Sequence, residues 1–315
     1  MPLISVIVPA YNVSSSIAMT LDLLQRQTYD NLEIICINDG STDSTSDIIN
    51  VLKQKDSRIV LINKENGGVS SARNIGLNNA HGEYVCFFDP GDEADSDFVM
   101  YLYKLLLSEK ADLAICSYNF KMENGQILDR NRFYEIVDKN TIFNQEEALT
   151  EIIKVYGKFC GHVWDKLFIR SKIGAIRFDE NIHNCEDTLF DVQYIKNCQK
   201  VILGPEVHYD YIQSNTSVTH GKYSYKFHSG LCAWCRIIAE LDSYVERELL
   251  NKNMSVLVTM YSRMAWKSLN REEQRKYKKD FIKLMNQYHS FSSIKQLSLI
   301  VIQDSIPAIL DKCKS

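Results

Sequence analysis

The sequence has little of what several protein classes need. A formal net charge of −4 over 315 residues lacks the strong basic surplus of a duplex binder and argues against nucleic acid as a partner. Long hydrophobic runs are missing as well. The longest apolar stretch near the end, Leu297 to Leu310, is interrupted by Gln303 and Asp304 and is too short to cross a bilayer. The 9 cysteines show no paired spacing, and no signal peptide is read ahead of the buried-strand pattern Leu3–Val8, so a reducing cytoplasm is expected. Cys232-Ala-Trp-Cys235 is a C-x-x-C, but it lies in a helical pattern without a second pair, and core packing is the better reading than zinc or redox chemistry. Neither G-x-G-x-x-G nor G-x-x-x-x-G-K-[ST] occurs, so the dinucleotide and P-loop modes of phosphate binding lack their residues. No internal repeat or low-complexity segment interrupts the chain.

What is present is an ordinary folding chain, 45% apolar, long enough for one large α/β domain and an appended element. Apolar runs alternate with helical patterns from the start: Leu3–Val8, Ile17–Gln27, Leu32–Asn38, Asp47–Leu52, Ile59–Asn63, Ser71–Asn79 and Tyr84–Phe88. Strands apolar on both faces and separated by helices predict a mostly parallel sheet covered on both sides. Ligands of such sheets sit beyond the carboxyl ends of the strands. The polar clusters fall at those ends: Pro9-Ala10-Tyr11-Asn12, Asp39-Gly40-Ser41-Thr42-Asp43 and Asp89-Pro90-Gly91-Asp92. Between Leu113 and Pro205 the pattern turns mixed, with a strand at Leu113–Tyr118, a turn at Asn124-Gly125 and a helix capped by Asn144. After Tyr223 amphipathic helical segments run on, and the boundary is placed near residue 221. Charge divides there too: 16 Lys and Arg against 9 Asp and Glu beyond residue 220, net +7, and net −11 before it.

Three segments bear chemistry. Asp39 ends an apolar strand, where its carboxylate can accept bonds from a base or a sugar; a turn capping the next helix is the plain alternative. Asn66-Gly67-Gly68 leads into a helix whose first amides and dipole favour an anion, with Arg73 in the early turns, a phosphate contact or an ordinary surface Arg. Phe88-Asp89-Pro90-Gly91-Asp92-Glu93 gathers carboxylates of the kind a divalent cation bridging phosphates needs, or forms an acidic turn.

In order and spacing, Val8–Asn12, Asn38–Asp43, Gly67–Asn74 and Phe88-Asp89 resemble the large family 2 of inverting glycosyltransferases, with the Rossmann-like GT-A fold for nucleotide-diphospho-sugars. The likeness is specific over about residues 3–120 and looser to about 220. It implies α/β architecture, a mixed, mostly parallel sheet: a catalytic domain at 1–220, with a donor half at about 1–120 and an acceptor half at about 121–220, and a helical C-terminal region at 221–315. It implies donor contacts from Pro9, Tyr11, Asn12, Asp39, Arg73 and Asp89, with Tyr11 beside the nucleobase and uridine the usual base. Cys185-Glu186-Asp187 resembles the family's Glu-Asp motif, in which Asp187 takes the acceptor's proton. Such a base is what a hydroxyl nucleophile needs. Trp164-Asp165-Lys166, with Glu186, resembles the acceptor side, where an aromatic ring can face a sugar; Trp164 reads equally well as a core residue.

The sequence departs from the family where a carboxylate usually holds a metal: Gly91 stands there. Asp92 and His220, with Asp89, are then the expected ligands of Mn²⁺ or Mg²⁺. Gln213 stands where an Arg is often found, in a segment, His208–Tyr211 and Ser217–His220, that resembles the part folding over the diphosphate. The expectation is transfer of a sugar from a UDP-sugar to an acceptor hydroxyl on a glycan, lipid-linked or protein-linked, in polysaccharide or glycoconjugate synthesis. The basic helical region is expected to touch an anionic membrane face or a partner subunit, another copy of the chain included, or equally to be a solvated helical bundle that packs on the catalytic domain. A silent, binding-only relative and a nucleotidyltransferase are the alternatives.

Overall fold

The computed structural model describes residues 1–129, 134–154, 157–213 and 223–287. The chain divides into two compact units, 1–220 and 221–315. The first opens with the expected repeat: β1 (Ile4–Ala10), α1 (Ile17–Gln25), β2 (Leu32–Asp39), α2 (Thr45–Lys53), β3 (Ile59–Lys64), α3 (Val69–Asn79) and β4 (Tyr84–Phe87). It continues with β5 (Glu93–Ala94), α4 (Phe98–Ser108), β6 (Leu113–Met122), β7 (Thr141–Asn144), α5 (Gln145–Ile153), β8 (Lys166–Ile169), α6 (Arg170–Ile173), α7 (Glu186–Ile195) and β9 (Lys200–Gln213).

Among the described residues one sheet takes all nine strands, in the order β3-β2-β1-β4-β8-β6-β9-β5, with β7 on β9. The run β3-β2-β1-β4 is parallel, β8 is antiparallel to both its neighbours, and β6 runs parallel to β9. The proposed donor and acceptor halves therefore share one sheet, and β6 straddles residue 120. Alternation along β1 sets the two helical layers. Ile4, Val6 and Val8 pack with Leu21 and Leu24 of α1 and Phe98 and Leu102 of α4. On the other face Ile7 meets Gly76 of α3, so closely that a Cβ there would lie 2.4 Å from its Cγ2. Rings of Phe87, Phe168, Phe178 and Phe190 fill the rest of that face. Each such side chain, buried in full, contributes about 1.5–3 kcal/mol.

Asn144 caps α5 in a reciprocal box with Glu147. The second unit holds α8 (Tyr225–Leu241), α9 (Arg247–Ser268) and α10 (Arg271–Gln287), with no strand among the described residues. The segment expected to fold over a diphosphate is, through Gln213, an ordinary part of β9, with Tyr209 buried in the core. Ser217–His220 lie outside the described residues.

Candidate functional site

The first wall of the site is two loops stitched together beyond β1 and β2. The Asn12 amide donates to Ser41 Oγ at 3.0 Å, and Asn12 Oδ1 accepts from the Thr42 amide at 2.8 Å. Asn12 itself is left-handed, at φ 52°, a conformation that Asn tolerates better than most residues. Asp43 accepts from the hydroxyl and amide of Thr45 and from the Ser14 amide. Those bonds, the Thr45 hydroxyl first, hold its carboxyl well below the usual range. Between the stitches Tyr11 stands 49% exposed, a free ring face at a strand end. Pro9 is buried within β1, so it shapes the strand and offers no side chain to a ligand.

The second wall corrects an expectation. The amides of Gly67 and Gly68 do point at an anion, but the anion is the chain's own Asp39, at 2.9 and 2.8 Å. Lys64 Nζ closes on the same carboxylate at 2.5 Å. Three of a carboxylate's roughly four lone-pair sites are thus taken, which leaves about one for a ligand. Gly40, at φ +71° with the Asn66 amide 2.7 Å from where its Cβ would be, lets the two loops close. Lys64 had a signal that sequence reading passed over: it faces Asp39 in the register of β2 and β3.

At the centre is Arg73, only 3% exposed. Its Nη2 reaches both oxygens of Asp89, beyond the end of β4, at 3.2 and 3.3 Å. Its Nη1 donates to Asp187 at 2.5 Å and lies 3.4 Å from Glu186, both in the first turn of α7. The guanidinium also stands 5.4 Å from the centre of the Phe178 ring. The donor-side and base-side carboxylates expected from sequence are thus brought together by one cation. Burial pushes the Asp187 carboxyl well above its ordinary range, with Glu186 and Asp89 adding to the effect and Arg73 opposing it. A carboxylate reluctant to stay charged is a ready proton acceptor.

Other expected residues lie elsewhere. Asp92 is turned inward: Tyr209 donates its hydroxyl to Asp92 Oδ2 at 2.7 Å and the Ile212 amide donates to Oδ1 at 2.9 Å. Burial pushes its carboxyl up to about 8. Both oxygens are engaged inside the protein, so Asp92 is not placed as a metal ligand. Gly91 sits at φ +102°, where a restored Asp would be strained. His220 is outside the described residues, which leaves Asp89 alone of the expected metal set at the crevice, its side chain 31% exposed.

Trp164, Asp165 and Lys166 do not face an acceptor. Trp164 is buried in a stack with His162, Tyr209 and Tyr211. The Lys166 ammonium, fully enclosed, lies 2.7 Å from Asp165 and 3.3 Å from Asp191 of α7. These residues hold the core around the site. Glu186 alone of the acceptor set lies at the Arg73 cluster. Cys232 and Cys235 are free thiols.

A crevice at the carboxyl ends of parallel strands, lined by a free ring and paired carboxylates, with helices on both faces of a mixed sheet, defines the GT-A class. The model of the family described as glycosyl transferase family 2 matches residues 5–168, and the chain belongs to that family. Glycosyltransferase GlyA of Streptococcus pneumoniae is 38% identical over 181 residues, which are 56% of this chain and 26% of GlyA. EpsJ of Bacillus subtilis, an uncharacterized glycosyltransferase, is 29% identical to this chain over 268 residues, 79% of this chain and 76% of EpsJ. The crystal structure of residues 1–349 of Staphylococcus aureus TarS in complex with UDP-GlcNAc superposes with a TM-score of 0.69 at 19% identity, over 91% of this chain and 80% of that one; it shares the fold.

Proposed function

We propose that residues 1–220 move a sugar from a nucleotide-diphosphate donor, a UDP-sugar, to an acceptor hydroxyl with inversion at the anomeric carbon, in glycan or glycoconjugate synthesis. The observation that carries this reading is the Arg73 bridge, because it stands Asp187 beside Asp89 at the donor end of the sheet. Tyr11 then supports the nucleobase, and Asp39, fixed by Lys64 and the glycine amides, presents its remaining acceptor site to the base. The acceptor hydroxyl gives its proton to Asp187 while its oxygen forms the new bond to the anomeric carbon. The bond to the diphosphate breaks on the opposite side, and one displacement inverts the centre.

Carboxylate oxygens at the crevice are ligands of the kind a hard divalent cation takes. Of the residues described, Asp89 would hold a divalent ion, Mn²⁺ or Mg²⁺, whose chemistry is to offset charge on the departing diphosphate. The unpaired cysteines are in keeping with a reducing cytoplasm, and no helix among the described residues is long and apolar enough to cross a membrane.

Transfer from UDP-sugars by purified protein, with and without Mn²⁺, tests the reading. Asp187→Asn should lower turnover by roughly 10²–10⁴-fold, as loss of a general base does, while donor affinity stays near that of the wild type. Near-normal turnover in this variant would remove the assignment. By calorimetry UDP should bind more tightly than GDP or ADP, and Asp39→Ala should erase the preference. Tighter binding of GDP would overturn the base assignment, and UDP binding without transfer under any metal would point to a silent, binding-only protein.

A further inference from the structure

Away from the Arg73 cluster, β9 buries an imidazole among acids. His208 is 7% exposed, and neither of its ring nitrogens has a hydrogen-bond partner. Nδ1 lies 3.3 Å from Asp95 Oδ2 and 3.2 Å from Asp97 Oδ1. Nε2 lies 3.5 Å from Glu206 Oε2. The ring is held against Tyr101 of α4, centroids 4.1 Å apart, and the Asp95 amide donates to the His208 carbonyl at 3.1 Å. Asp97 occupies the N-cap position of α4 yet makes no capping bond with its side chain, so a carboxylate that ordinarily serves the helix is turned elsewhere.

We propose that Asp95, Asp97 and His208 form a divalent-cation site, for Zn²⁺ in the first place, distinct from the donor crevice. The ligand atoms all lie within 4.8 Å of one another. A tetrahedral zinc with N and O ligands at about 2.0–2.1 Å has edges of about 3.3 Å between ligand atoms, which is the separation of Nδ1 from both carboxylate oxygens. One imidazole and two carboxylates are a donor set that zinc accepts, with water in the fourth place. The second nitrogen is also provided for. With Nδ1 on the metal, Nε2 carries the proton and faces Glu206, the carboxylate partner that metal-bound histidines usually have. The two Asp side chains, 63% and 54% exposed, give the ion a route in from solvent. Bound there, the ion would clamp the β5–α4 connection onto β9. Asp89 lies on the chain just ahead of that connection, so the clamp would steady the donor loop without touching the donor.

The test uses the full chain, stripped of metal by a chelator and titrated with Zn²⁺ by calorimetry and with Co²⁺ by absorbance, nucleotide absent. Binding of one ion per chain with micromolar or tighter affinity is expected. The Co²⁺ complex should show visible d–d bands without the intense near-ultraviolet band of a thiolate. Asp95→Asn/Asp97→Asn, at two exposed positions, should weaken binding at least tenfold, and Glu206→Gln should weaken it less. Asp89→Asn should bind as the wild type does. Zn²⁺ should raise the thermal midpoint of the wild type and leave that of the double variant unmoved. No binding by the wild type, equal affinity in the double variant, or a thiolate band that assigns the ion to cysteine would each overturn the proposal.

Discussion

Arg73 is the residue on which the site turns, because its two terminal nitrogens serve different elements. Nη2 holds Asp89 behind β4 and Nη1 holds Asp187 on α7. A lysine carries the same charge as a point, and cannot span two carboxylates on separate elements as the planar fork does. Arg73→Lys should therefore keep most of the fold and lose the alignment, with turnover down roughly 10²-fold, the scale of a displacement of about 1 Å at a reacting group. Thermal midpoint and kcat measured together decide the matter. A fall in midpoint with unchanged turnover per folded molecule would make Arg73 a structural ion-pair centre only. At this scale the sequence was half legible. The candidates Arg73, Asp89, Glu186 and Asp187 meet in the structure because each stands at a strand end or a helix start, positions that local pattern reveals. The partners of Asp39 were misread, since a glycine loop that can bind an anion looks the same in sequence whether the anion is a phosphate or a carboxylate of the same chain.

At the scale of elements, α7 has to be held in place for Asp187 to be of use, and the buried Lys166 on β8 does this. It reaches Asp191, one turn after Asp187, as well as Asp165 and the carbonyls of Cys160 and His162. Removing one partner from a buried ionic group leaves charge without compensation, so Lys166→Met should destabilise by roughly 3–5 kcal/mol, and adding Asp165→Asn and Asp191→Asn should restore most of the loss. Chemical denaturation of the three proteins checks this. A pH signature follows as well. Burial, against the pull of Lys166, raises the Asp191 carboxyl to about 7 and the Asp165 carboxyl to about 6. The folded state thus keeps protons that the unfolded chain gives up near its ordinary value of about 3.9. The stability tied to these groups is full below that value and lost as pH rises through about 6 to 7. Asp191→Asn should flatten the decline between pH 5 and pH 8, and an unchanged slope would count against the assignment. None of this was legible in Trp164-Asp165-Lys166, where the resemblance pointed to the acceptor side. Likewise β9 escaped notice: its burial follows no period of two, because β6 lines one edge along its length while the other edge is covered by β7 at its start and by β5 near Tyr209. The β-α repeat of the first 88 residues was plain, since parallel strands buried on both faces leave an unbroken apolar signal.

For the whole molecule the unequal charge, −11 up to residue 220 and +7 beyond it, asks what the basic region meets. Its membrane reading drew on amphipathic helices, and α10 is one, but the structure shows where the apolar side goes. Tyr277 and Phe281 are buried, while Arg275, Lys276 and Lys279 are exposed. The apolar face of α10 is taken up within its own unit, so insertion among acyl chains is not open to these residues and only attraction between charges remains. Such attraction amounts to about 1 kcal/mol per basic residue near an anionic surface, and falls away within a Debye length. We therefore predict that the chain pellets with phosphatidylglycerol-containing vesicles at low salt. It should be released near 1 M salt, where that length is about 3 Å. Arg275→Glu/Lys276→Glu/Lys279→Glu should abolish pelleting while leaving sugar transfer in solution as it was, because none of the three lies in the unit that holds the Arg73 cluster. Pelleting that persists in high salt would mean an apolar anchor outside the described residues. Absence of pelleting at low salt would end the membrane reading and leave self-association or another partner to account for the basic face.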